Sequence, residues 1–275
     1  MFKALFLQMF KALPVLVLAA IILSSLLAPL LTVYDPLEIS LDSIKLSPTL
    51  KHPFGTDSKG RDVLSRVLYG GRISLAVSFL AVAVSLSFGF IVGLISGYYG
   101  GWIDTVLMTL VDFVLSFPSL LLAIGISVIL PPGIYTVIFA ISIVGWVSFA
   151  RLIRGQVLKI KELPFVEAAM AIGCSNFRII TRHVLPQCMP TAIVLMGLKF
   201  GGYIITEASL SFLGLGTQPP TPSWGSMISE NRAYILSEAW MVIFPGLAIA
   251  LTALCFNIVG DALQQRFDLN INAHK

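Results

Sequence analysis

The chain has 275 residues, 57% of them hydrophobic and 12% charged, with a formal net charge of +4. A soluble domain carries about 25% charged residues, so this chain cannot keep a whole surface wet and reads as an integral membrane protein. The small basic excess is that of ordinary cytoplasmic loops, and no nucleic acid is expected as a partner.

The apolar stretches lack the two-residue alternation of outer-membrane strands, so they read as helices. The length accommodates about six of them. The expected spans are 12–33, 73–96, 106–130, 134–150, 190–213 and 240–260. The first follows Lys3 and Lys11 and is longer than a signal core, with no clear small-x-small cleavage site, so it is expected to be retained.

After the first span come His52-Pro53-Phe54-Gly55-Thr56-Asp57 and Gly60-Arg61-Asp62-Val63-Leu64-Ser65-Arg66. Gly55 and Gly60 permit tight turns, and Asp57 and Asp62 can cap them. Val63, Val67, Leu68 and Leu75 predict an amphipathic helix entering the second span. The segment either plugs the outer end of the bundle or offers Gly55, Asp57, Gly60, Arg61, Asp62 and Arg66 to a soluble partner outside.

In the third span Pro118 predicts a kink able to serve as a hinge. Asp112, near its inner end, is expected to pair with Arg151 or Arg154. The polar island 151–187 then interrupts the apolar pattern. Pro164 suits a first helical turn, and Gly173 suits a left-handed stop. Ser175 caps a second short helix from Asn176 to Val184, with Phe177, Ile180 and Val184 on one face. Pro186 ends that helix or opens the next span. Glu167 stands in the first turn of the first helix, where the dipole favours it, and Ala168 and Ala169 permit close approach by a partner. Taken alone, this island also reads as an amphipathic loop resting on lipid.

Further on, Lys199 and Glu207 are ionisable groups within a span, which by default face the protein interior or a watery path. Eight residues separate them, too far for a helix neighbour, so Lys199 is expected to pair with another span or subunit. Glu207 either takes part in substrate passage or makes a buried hydrogen bond. Asp261 is placed at the inner interface.

Six spans put both termini on one side. That side and the island carry Lys3, Lys11, Arg151, Arg154, Lys159, Lys161, Arg178, Arg182, Arg266 and Lys275. Lys45, Lys51, Lys59, Arg61, Arg66, Arg72 and Arg232 lie opposite. The bias favours termini inside. Three divisions follow: 1–72, a first span and external segment; 73–265, the main transmembrane domain; and 266–275, a cytoplasmic tail.

The spacing Glu167-Ala168-Ala169, Gly173, Leu185-Pro186 resembles the loop by which permease subunits of bacterial ABC importers dock onto their ATPases. His183 stands where that loop often has an aliphatic residue. The stretches 52–66, 112–121, 207–225 and 256–263 resemble the second permease subunit of dipeptide, oligopeptide and nickel importers, and the likeness extends over residues 12–270. The resemblance implies an all-α, six-span, type I importer permease with a cytoplasmic coupling helix. It implies half of a translocation pore worked by alternating access in the bacterial inner membrane. Its partners would be a second permease, two ATPase subunits, an external solute-binding protein and the lipid bilayer. ATP and Mg would be bound by the ATPase subunits, with no cofactor in this chain. Peptides are the favoured cargo, with nickel or another metal chelate second.

No Gly-x-x-x-x-Gly-Lys-Ser/Thr loop and no Gly-x-Ser-x-Gly motif occurs in the sequence. The three cysteines and three histidines are scattered, with neither metal-ligand nor disulfide spacing. The chain therefore reads as a conduit driven by another protein, not an enzyme. An ion-coupled secondary carrier is the rival, although no internal repeat is visible.

Overall fold

The helices follow the apolar runs but outlast several of them. The computed structural model describes the backbone of residues 2–273 and the side-chain surroundings of residues 12–265. Helices α1 (Phe2–Leu26) and α2 (Ala28–Leu31) lead into a segment holding one 3-10 turn at Leu41–Ser43. Then come α3 (Val63–Tyr99), α4 (Gly101–Leu115), α5 (Ser119–Ile129) and α6 (Ile134–Lys161). The chain continues with α7 (Pro164–Ala171), α8 (Asn176–Phe212), α9 (Trp224–Asn231) and α10 (Trp240–Ala273). The side chains of Lys3, Lys11, Arg266 and Lys275, used in the charge argument, lie outside the described residues, as do those of the tail 266–275.

α3, α6, α8 and α10 are each long and apolar enough to cross a membrane. α4 and α5 qualify only as a pair, and the described part of α1, Ala12–Leu26, is a shorter apolar helix. The chain is thus a multi-pass helical membrane protein. Its main core joins Val77, Ala81 and Val82 of α3 with Val137, Ile141 and Val144 of α6 and Phe200, Tyr203 and Ile204 of α8. Gly89, Gly93 and Gly97, four residues apart, form the surface of α3 that meets α6.

Three expectations change. First, the kink expected at Pro118 is a break: α4 and α5 meet at 87°. Proline offers no amide hydrogen and disfavours helical backbone at Phe117, while the Ser116 amide closes α4 on the Asp112 carbonyl at 3.0 Å. Second, the fourth helix does not end at residue 150 but runs to Lys161. Three of its basic residues find acceptors along the way, with Arg151 on Asp112, Arg154 on Asp104 and Lys161 on the Tyr98 carbonyl. Charge at this point marks a neutralised helix rather than a loop. Third, residues 176–212 form one continuous helix; Pro186 does not end it but stands in the first turn of its α segment Leu185–Phe212, the second of the two alternatives. A π turn at Ile180–Val184 takes up the strain, with the Leu185 amide donating to the Ile180 carbonyl.

Candidate functional site

The elbow at 162–175 sits beside the C-terminal end of α3. Pro164 occupies the first turn of α7, and Ser175 caps α8 by accepting the Arg178 amide. Between them Gly173 adopts φ +82°, a left-handed backbone natural to glycine. The Gly173 amide donates to the Met170 carbonyl at 3.0 Å and the Cys174 amide to the Ala169 carbonyl at 3.1 Å, closing α7.

Val166 and Ala169 turn inward and pack in one cluster with Ile153, Val157 and Ile160 of α6 and Ile179, Val184 and Cys188 of α8. This base holds the opposite face outward. Glu167 and Ala168 are exposed there, flanked by Phe165, Met170 and Ile172, the last 80% exposed. Ala169, expected beside Ala168 on the contact face, belongs instead to the buried base. Leu185 is half-buried against the same cluster and Pro186 is exposed. Phe177, expected on one face with Ile180 and Val184, is 77% exposed. The π turn inserts a residue, so Ile179 aligns with Val184 instead. The Tyr98 hydroxyl donates to Asn176 Oδ1 at 2.9 Å, tying the elbow to α3.

The segment before α3 lies at that helix's other end, against α9 and the start of α10. The Ser58 amide approaches Asn231 Oδ1 at 3.5 Å, and the Trp240 indole donates to the Thr56 carbonyl at 3.2 Å. Asp57, Arg61, Asp62 and Arg66 are all buried, which fits the plug alternative and leaves these side chains turned away from any soluble partner. Arg61 Nε donates to Asp57 Oδ2 at 2.7 Å, and Arg61 and Arg66 converge on Glu230 Oε2. Asp62 caps α3 through the Ser65 amide at 2.7 Å and also meets His52 Nδ1 at 2.9 Å. Gly55 and Gly60 take positive φ in this turn, where their missing side chains leave room for the Leu46 and Ser40 carbonyls. Buried charges must be paired to be tolerated, and this set is paired internally. The segment is a locked plug.

Of the membrane-embedded polar residues, Asp112 pairs with Arg151 in an exposed ion pair, while Arg154 goes to Asp104 through two bonds of 2.5 Å. Glu207 is fully buried and accepts the Ser211 hydroxyl at 2.8 Å, and its other oxygen has no hydrogen-bond partner among the described residues. Lys199 does not reach it; its ammonium donates to Ser148 Oγ at 3.2 Å. Asp104 and Glu230 are ion-pair partners that sequence reasoning missed, and Trp224, within the stretch 207–225 it did single out, proves to be a packing residue. The fully buried Trp224 ring donates its indole N–H to the Val67 carbonyl at 2.9 Å. Among the described residues no group of three or more His, Cys, Asp or Glu side chains is arranged to hold a metal ion.

The described residues thus form a bundle of membrane-crossing helices with a folded elbow at one end and an ion-paired plug at the other. Residues 89–272 match the family described as binding-protein-dependent transport system inner membrane component. The chain is 44% identical over 253 residues to the dipeptide transport system permease protein DppC of Alkalihalophilus pseudofirmus, covering 92% of this chain and 83% of that protein. It is 43% identical over 227 residues to the glutathione transport system permease protein GsiD of Pectobacterium atrosepticum, covering 82% and 75% of the two. In fold it is similar to the MetNI methionine ABC transporter in inward-facing conformations, with a TM-score of 0.60 at 16% identity over 74% of this chain and 96% of that one. An amino acid ABC transporter gives a TM-score of 0.56 at 16% identity, covering 74% and 94% of the two chains. The chain belongs to the family of binding-protein-dependent transport inner-membrane components, the permease subunits of ABC importers. The family's members are inner-membrane components of transport systems that depend on a binding protein.

Proposed function

We propose that this chain forms half of a heteromeric import channel for di- and oligopeptides. A second permease would complete the channel, two ATPase subunits would drive it, and an external solute-binding protein would deliver cargo. The observation that carries this reading is the elbow: an exposed apolar crown around Glu167, held out by a buried base that is continuous with α6 and α8. Exposed apolar groups gathered on a rigid support favour a protein partner, and a lone carboxylate among them suits an arginine on that partner. The relatives named for dipeptide and glutathione transport support peptides as cargo.

In this mechanism ATP and Mg bind to the ATPase subunits. Closure of those subunits displaces α7, and the displacement passes to α6 and α8 through the shared cluster. Coupling requires that the elbow's contacts differ between the two states of the motor. The orientation that suits this is elbow and both termini on the cytoplasmic side of the inner membrane.

The test is recovery of partners with the tagged chain from detergent-solubilised membranes. Wild type should bring down a second permease and the ATPases. Glu167→Arg should lose only the ATPases. Recovery of a folded chain alone in both cases would overturn the reading.

A further inference from the structure

Where α4 breaks from α5, the bundle leaves a cavity of about 180 Å³ between the break, α6 and α8. Phe117 and Leu120 stand exposed at its rim. Inside, Lys199 and Tyr203 both line it. They are four residues apart on one helix, and so share a face.

The ammonium of Lys199 has an unusual setting. It lies within a membrane-crossing helix, and no carboxylate comes within 4.0 Å of it among the described residues. Its hydrogen bond is to a neutral hydroxyl, Ser148 Oγ. A cation at this depth is costly unless water or an anion meets it. The Tyr203 side chain forms part of the wall, with its hydroxyl buried beside Gly145 and Ser85 rather than open to the cavity. The absent side chain of Gly145 leaves the space this hydroxyl fills. One cation without a counter-charge therefore lines a small cavity whose walls are largely apolar residues, with Ser119, Ser148 and Thr206 among them.

We propose that Lys199 receives the carboxylate of a passing peptide, and that this cavity is a carboxylate station on the translocation path. The proposal rests on the peptide-import reading and specifies which end of the cargo this subunit holds. A carboxylate replaces the missing counter-charge while it is present. Because the ammonium keeps only a hydroxyl partner otherwise, the anion is held without a permanent acidic competitor. The cavity's size suits the end of a peptide, leaving the rest of the cargo to the remainder of the channel.

The experiment uses the complete importer in proteoliposomes of defined orientation, with the binding protein outside, ATP inside and radiolabelled alanylalanine as probe. Lys199→Met should lower uptake at least about tenfold, the scale of losing a charge-assisted hydrogen bond. Lys199→Arg, which keeps the charge, should restore most of it. Co-purification of the partner subunits and binding-protein-stimulated ATP turnover should remain in both variants. Uptake by Lys199→Met equal to wild type would overturn the proposal while leaving the peptide reading intact. Loss of the second permease from Lys199→Met would also overturn it, by making Lys199 a subunit-interface cation. Failure of wild type to import any peptide, with ATP turnover present, would instead sink the peptide reading on which the proposal rests.

Discussion

Gly93 lies so close to Ala150 that a Cβ built on it would stand 2.6 Å from the Ala150 carbonyl oxygen and 2.9 Å from Ile153 Cβ. Gly97 repeats the arrangement one turn on, where a Cβ would meet Val157 Cβ at 2.8 Å. Without a hydrophobic drive between helices in lipid, such close backbone approach is what makes packing favourable. Gly93→Leu is therefore expected to force α3 from α6 and to cost at least about 1–3 kcal/mol. The check is the fraction of monodisperse protein surviving a heat ramp in detergent. A variant as heat-resistant as wild type would mean that the two helices do not depend on this contact.

Glu230 holds two buried guanidinium groups, Arg61 and Arg66, with its own side chain 16% exposed. Glu230→Ala leaves both cations short of a counter-charge, and breaking a buried pair this way costs about 3–5 kcal/mol. Lys59→Ala, at an exposed position in the same segment, should stay within about 0.5 kcal/mol of wild type. Denaturation midpoints of the two variants in detergent provide the comparison, and equal midpoints would contradict a locked plug.

Trp224 fills the junction between α9 and α3. Removing a buried ring of this kind costs about 3–5 kcal/mol, so Trp224→Ala should show a strong loss of folded protein. Limited proteolysis of the 214–239 region should accelerate in parallel. Unchanged cleavage would place the support of that region elsewhere.

At Gly173 the obstacle to substitution is the backbone, since a Cβ added there would meet nothing within 4 Å. A residue with a side chain in this left-handed conformation is strained by about 1–2 kcal/mol, least for asparagine. Gly173→Val should impair ATP-driven uptake more than Gly173→Asn, with membrane insertion unchanged. Gly173→Asp and Glu167→Ala should abolish uptake through the same surface. Transport assays beside immunodetection in membranes separate these effects, and normal uptake by Glu167→Ala and Gly173→Asp would remove the elbow from the coupling route.

The parts of the fold legible in the sequence rest on local chemistry. Pro164, Gly173 and Ser175 each act within a turn of their own position, so the elbow's outline can be read from them. The long-range pairings cannot. Arg61 and Glu230 are 169 residues apart and Arg154 and Asp104 are 50 apart, and no periodicity links such partners. The same cause hides the extension of α6, because Arg151 and Arg154 look like loop residues until their acids are placed. The inward turn of Ile179 depends on the π turn, which carries no composition signal. The spacing of Gly89, Gly93 and Gly97 points to a close helix contact, but it does not name the helix that meets it. Lys199, expected to pair across to another element, finds Ser148 on α6.

Because the π turn is embedded in one unbroken helix from Asn176 to Phe212, the elbow and the cavity helix share a single rotational index. At about 1.5 Å per residue that shaft is about 55 Å long, so a tilt of about 10° applied at the elbow sweeps its far end by about 10 Å. The wide turn at Ile180–Val184 absorbs one extra residue locally, so the elbow keeps its angular relation to Lys199 and Tyr203 despite the added length. On the proposed coupling route, the phase of this one helix sets the direction in which a displacement of the elbow arrives at the cavity.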